Sequence, residues 1–232
     1  MSRYKHLFFD LDHTLWDFQG NSRATLRELF ETERLMEAGV SSAEEFIDTY
    51  EEINHALWAK HSAGVIPKEV LRALRFREAL GRFGVKDNRL AQRLEHEYLA
   101  RCPLRSLLMP GALEVLTSLH GRYRMHIITN GFDEVQGIKL NSAGITHFFD
   151  VVLTSERAGA AKPSPVIFQS ALHRTNATAE TSLMIGDNID ADMHGARQAG
   201  WDHVHYAAAC ERDPLATHSI AHWKEFEALL DR

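Results

Sequence analysis

Leu7-Phe8-Phe9-Asp10-Leu11-Asp12-His13-Thr14 is a short apolar run that stops at two acids set two positions apart. Bulky apolar residues in succession, without polar alternation, suit a strand buried on both faces of a parallel sheet, here at residues 4–9. Open sheets of that kind bind ligands at the C-terminal ends of their strands, so the following turn aims both carboxylates at one place. An acidic pair at a strand end also serves as a solvated turn or a helix cap, and alone it assigns no chemistry. A calcium-loop reading fails: the sixth position from Asp10 is Leu15 where glycine is needed, and the twelfth is Asn21 where a bidentate Glu is needed.

Downstream the texture becomes helical from about residue 21 to 103. Phe46, Ile47, Tyr50, Ile53, Leu57 and Trp58 recur at spacings of three and four with acids between them. Similar patterns at about 21–38, 68–83 and 87–101 predict a four-helix bundle punctuated by Gly39, Gly64 to Pro67, and Gly84. Beyond Pro110-Gly111, short apolar strands at about 124–129, 150–154, 182–186 and 202–206 alternate with helices. We therefore expect an α/β fold, a Rossmann-like parallel sheet with helices on both faces. Residues 1–15 and 106–232 form its core, and 16–105 form an inserted helical domain.

Three further strand-end motifs bear on chemistry. Ile127-Ile128-Thr129-Asn130-Gly131 ends a strand in a hydroxyl, a carboxamide and a glycine ahead of a helix; this suits either a phosphoryl group or a simple helix cap. Lys162 stands in the loop Gly159-Ala160-Ala161-Lys162-Pro163, where it could offset clustered anions or merely meet solvent. Leu183-Met184-Ile185-Gly186-Asp187 delivers another acid, a hard oxygen ligand, with Asp190 and Asp192 close behind. Those two could equally favour the next helix through its dipole.

The 232 residues carry a formal net charge of -6 with scattered Lys and Arg, which speaks against a nucleic-acid polymer as partner. No apolar run approaches the roughly 18 residues of a membrane helix, and no signal peptide is visible at the N-terminus. Cys102 and Cys210 form no CxxC pair, which argues against disulfides and zinc and fits a reducing cytoplasm. Of the 14 histidines, His203 with His205 and His218 with His222 are paired by spacing, but neither pair has an identifiable third ligand nearby, so we read both as structural or surface residues. No oligomeric state is assigned.

In order and spacing, the four motifs resemble the haloacid dehalogenase-like (HAD) hydrolase superfamily over nearly the whole chain. The resemblance implies that Asp10 attacks phosphorus to give an aspartyl-phosphate, while Asp12 protonates the leaving oxygen and then activates water. It implies Mg2+ held by Asp10, Asp187 and the backbone carbonyl of Asp12, with Asp192 acting through water. Thr129, Asn130 and Lys162 would bind the phosphoryl group, and Lys162 would also balance charge during catalysis. Crowded anions are expected to surround Asp12 and raise its proton affinity.

Asp12 resembles the phosphatase and mutase branches, since dehalogenases and ion-pumping ATPases lack this acid. The helical insertion resembles the cap of one subgroup. His13, Trp16-Asp17-Phe18 and Thr129-Asn130-Gly131-Phe132 resemble the pyrimidine nucleotidase branch, which implies a small phosphorylated metabolite, a nucleoside 5'-monophosphate, as substrate. In that setting Trp16 or Phe18 either stacks on a base or packs the hinge. A phosphoglycolate or sugar-phosphate phosphatase and a β-phosphoglucomutase-like enzyme share all four motifs. A phospho-acceptor signalling domain fits less well, being shorter and carrying its acids on adjacent residues; a non-catalytic binding domain would not need the full set.

Overall fold

The computed structural model describes residues 3–230. Six parallel strands form one sheet: β1 (His6–Phe9), β2 (Arg124–Thr129), β3 (Val151–Thr154), β4 (Ser182–Gly186), β5 (Asp202–Tyr206) and β6 (His218–Ile220), in the order β3-β2-β1-β4-β5-β6. β1 lies in the middle, with Phe9 registered against Ile127 of β2 and Ile185 of β4. Successive side chains on a strand point to opposite faces. Phe8 accordingly packs with Trp201, Phe168 and Met184, while Phe9 meets Trp223 and Phe226 on the other side.

Helices α5 (Ala112–Leu119), α6 (Asp133–Ser142), α7 (Ser155–Ala158), α8 (Pro165–Thr175), α9 (Gly195–Gln198) and α10 (Phe226–Leu230) alternate with these strands. Every strand expected from the sequence is present. β6 is additional: three residues at the sheet edge, of which only Ile220 is fully buried, too brief to leave an apolar pattern.

The described residues fall into two compact units, one running to Phe18 and resuming at Ser106, the other spanning Gln19–Arg105. Trp16 forms a bridge with Leu108, and Asp17 N donates to Leu107 O at 3.0 Å, which ties this stretch to the sheet-bearing unit. The helices are α1 (Phe18–Thr32), α2 (Ala43–Ser62), α3 (Lys68–Arg82) and α4 (Asn88–Arg101), with Phe46, Tyr50, Phe76, Leu80, Leu94 and Tyr98 in the bundle core. α1 ends earlier than its apolar pattern suggested. Arg34 turns left-handed at φ 52°, and Leu35 and Val40 are buried from the turns beyond it, which prolongs the helical spacing past the helix.

Candidate active site

The strand order reverses beside β1, and the acids converge there. Asp10 follows β1 directly and extends the ladder, its N–H donating to Ile185 O at 2.8 Å. Asp187 follows β4, so parallel register brings the two acids to the same edge. The intervening turn is wound by Leu15 and Trp16 N–H groups that both donate to Leu11 O. His13, where a glycine is commonest in the family motif, adopts a left-handed φ of 63°, a region His tolerates better than most residues. This places Thr14 Oγ1 to donate to Asp187 Oδ1 at 3.0 Å.

Lys162 is only 3% exposed. Its Nζ donates to Asp10 Oδ1 at 2.6 Å and to Ile128 O at 2.8 Å, and lies 2.5 Å from Asp192 Oδ1 in an ion pair. Asn130 locks the loop that carries it: Asn130 Nδ2 donates to Lys162 O at 2.9 Å, and Asn130 Oδ1 accepts from Lys162 N at 2.8 Å. The carboxamide is thus committed to positioning Lys162. Thr129, buried at the end of β2, accepts from Gly131 N at 3.0 Å. Neither residue caps α6, which has no side-chain cap.

Asp192 lies in a π-helical stretch, Ile189–His194, and points inward, while Asp190 is exposed. A Cβ on Gly186 would stand 2.2 Å from Asp192 Oδ2, so the absence of a side chain at the end of β4 makes room for that carboxylate. Asp10, Asp187 and Asp192 each offer an oxygen within 4.8 Å of the others. Burial, and then the Asp192 and Asp12 charges, push the Asp10 carboxyl up to about 7 against the pull of Lys162. Burial followed by the Asp10 charge pushes Asp187 up to about 6, and burial raises Asp192 as well. Burial alone would lower the Lys162 ammonium; Asp10 and Asp192 override it and hold it above its ordinary value. Three acids around one ammonium leave an excess of negative charge.

Asp12 lies apart from this trio. Lys139 Nζ donates to both of its oxygens, at 2.6 and 2.8 Å, and Gln136 Nε2 lies 3.3 Å from Oδ2. Beside the anions expected near Asp12, whose charge is felt at Asp10, the structure thus sets a cation that the sequence did not foretell. Trp16 is fully buried, its ring 4.5 Å from Lys139 Nζ, which leaves it in the packing role; Phe18 is half-buried with its ring centroid 5.0 Å from that of His13.

His205 Nε2 donates to Asp187 O at 2.8 Å, and its Nδ1 accepts from Asp213 N at 2.9 Å, so both ring nitrogens are engaged in protein contacts. Sequence reasoning missed Lys139, Gln136 and the Asp187 contact of His205. No motif signals them; the three-residue spacing of Gln136 and Lys139, which puts them on one face of α6, was the only trace.

The chain matches the family described as haloacid dehalogenase-like hydrolase over residues 4–200. It belongs to the HAD-like hydrolases. Among its relatives, this HAD-like phosphatase is 31% identical to pyrimidine 5'-nucleotidase YjjG of Escherichia coli over 98% of both chains. It is 35% identical to pyrimidine 5'-nucleotidase PynA of Streptococcus pneumoniae over 88% of this chain and 84% of that one. A crystal structure of YfnB from Bacillus subtilis bound to magnesium superposes with a TM-score of 0.88 at 28% identity, covering 99% of this chain and 100% of that one.

The HAD-like site suits a small, hard divalent cation on its own chemistry. Its donors are carboxylate oxygens, three acids stand against the single ammonium of Lys162, and burial, with the neighbouring acid charges adding to it, makes the ionised forms of Asp10 and Asp187 costly unless a further cation joins them.

Proposed function

We propose that the protein is a magnesium-dependent phosphomonoesterase acting through an aspartyl-phosphate on Asp10, with nucleoside 5'-monophosphates, pyrimidine ones preferred, as substrates. The observation that carries the chemistry is Asp10 at the switch point of the sheet, held by Lys162 Nζ at 2.6 Å and adjoining two further acids. Asp10, Asp187 and the Asp12 carbonyl would hold Mg2+, with Asp192 reaching it through water. Bound there, the ion would supply positive charge to the phosphoryl oxygens.

An Asp10 carboxylate oxygen attacks phosphorus, the bond to the ester oxygen breaks, and the departing electron pair takes a proton from Asp12. In the second half, Asp12 accepts a proton from water as the water oxygen attacks phosphorus, releasing inorganic phosphate and restoring Asp10. Lys162 balances charge on the transferring group. Thr129, with the backbone N–H groups beyond it, including that of Asn130, receives the phosphoryl oxygens, and the Asn130 side chain holds Lys162 in place. Residues 19–105 act as the cap that excludes water and selects the ester.

The nucleotide preference is supported by the names of the YjjG and PynA relatives and by the His13 and Trp16-Asp17-Phe18 pattern. A cytoplasmic setting is supported by Cys102 and Cys210, which form no disulfide; among the described residues no helix is long and apolar enough to cross a membrane.

Phosphate release from UMP, dTMP, AMP, phosphoglycolate and glucose phosphates, with and without magnesium, tests the reading. UMP and dTMP are expected to lead, release is expected to need the metal, and Asp10→Asn is expected to lose at least about a thousandfold in kcat. Equal or better turnover of phosphoglycolate or a sugar phosphate would overturn the substrate. Activity that survives Asp10→Asn would overturn the mechanism.

A further inference from the structure

Lys139 is a charged side chain that the proposed reaction does not use, and lysines are rarely buried unless paired. Its side chain is 5% exposed, whereas that of its partner Asp12 keeps 21%, so the ammonium is sealed in while an edge of the carboxylate stays open. The ammonium faces the Trp16 ring at 4.5 Å and the Phe18 ring at 5.5 Å, aromatic walls that favour a cation and hold it in place.

The contact with Asp12 is two-pronged, at 2.6 and 2.8 Å. A carboxylate held through one oxygen can still turn about its Cβ–Cγ bond; one whose two oxygens share an immobile donor loses a contact on any turn. Gln136, one turn earlier on α6, adds the 3.3 Å contact to Oδ2. A Cβ on Gly131 would stand 1.5 Å from Gln136 Nε2, so the glycine after Asn130 leaves the space Gln136 occupies beside Asp12. α6 therefore begins just past the phosphate-side loop and ends its first two turns on the acid/base.

We propose that Lys139 is a positioning residue for Asp12, fixing the carboxylate so that its open edge meets the oxygen leaving phosphorus. The inference rests on the reading of Asp12 as the proton donor in the proposed reaction. A donor that is present but misaimed slows the departure of an alkoxide, which needs a proton, far more than that of p-nitrophenolate, which leaves without one.

The test compares kcat/KM for UMP and for p-nitrophenyl phosphate in the wild-type chain, Lys139→Met and Lys139→Gln with magnesium present. This ratio covers events up to departure of the first product, so the second half of the cycle does not enter. Lys139→Met is expected to lose about 100-fold on UMP, mostly in kcat, and no more than about threefold on p-nitrophenyl phosphate. Lys139→Gln keeps a donor without the charge and is expected to show the same asymmetry at smaller size; it carries the comparison if the Met variant does not fold.

Equal losses on both esters, or no loss on either, would overturn the positioning role while leaving the phosphatase reading intact. A wild-type chain that releases phosphate from neither ester would overturn that reading, and this inference with it.

Discussion

Asp10 is buried among like charges, and without a divalent cation its environment favours the neutral acid, with the carboxyl held up to about 7 and that of Asp187 up to about 6. Both values lie above the ordinary carboxylate range, so between about pH 4 and 7 the folded chain binds more protons than the unfolded one. Their contribution to stability is therefore complete at the acid end and is lost as pH rises through 6 and 7. Thermal unfolding followed without metal is expected to show this decline. Magnesium should offset it, since the cation replaces the protons, with about 2.7 kcal/mol gained at one hundred times its dissociation constant. The same titration on Asp10→Asn should show most of the metal effect gone. An equal rise in Tm in that variant would place the ion elsewhere.

Among the elements, the ends of the helices in the 19–105 unit show how local chemistry sets the boundaries. Gly64 and Gly84 stand left-handed just past α2 and α3, and the next residue, Val65 or Val85, donates back five positions to Lys60 O or Leu80 O, as in a Schellman cap. α1 closes in the same way, Leu35 N donating to Phe30 O and Arg34 N to Glu31 O, but with Arg34 in the position that favours glycine. The left-handed penalty of about 1–2 kcal/mol exceeds the extra unfolded-chain entropy of glycine, about 0.4–1 kcal/mol. Arg34→Gly is thus expected to stabilise the protein by about 0.5 kcal/mol, as measured by urea unfolding. The Arg34–Glu37 ion pair it removes spans 3.8 Å between exposed side chains and contributes little. A lower midpoint in the variant would contradict the capping account.

For the whole molecule, the insertion point is favourable to excision. Trp16 bridges Leu108 and Met109 N donates to Leu15 O at 2.9 Å, so the two places where the chain leaves and re-enters the sheet-bearing unit are already paired. Replacing residues 19–105 by a short Gly-Ser linker is expected to leave a folded α/β unit that still cleaves p-nitrophenyl phosphate. Selectivity for UMP over glucose phosphate should fall by about tenfold or more, the scale on which pocket contacts discriminate. A truncated protein with undiminished selectivity would show that the sheet-bearing unit chooses the ester by itself.

The sequence by itself determined the parallel sheet and the placement of Asp10, Asp187 and Thr129 at the C-terminal edge of its strands, while Lys162, in a loop beyond a further helix, was left open between the acids and solvent. Strands buried on both faces must be continuous apolar runs, and the residues just beyond such a run have to emerge at the strand end. It also determined the helical block, because periodicity and left-handed glycines act over a few residues. Tertiary structure alone supplied the room in which Asp192, the acid the family resemblance had singled out over Asp190, turns inward, since that depends on the missing side chain of Gly186 on another element. It likewise decided that Asn130 serves the backbone of Lys162, and that Asp12 meets Lys139 across 127 residues of chain. Spacing fixes directions within one element; a contact between elements exists only once packing has brought them together, and a lone lysine on a helix carries no mark of where that will be.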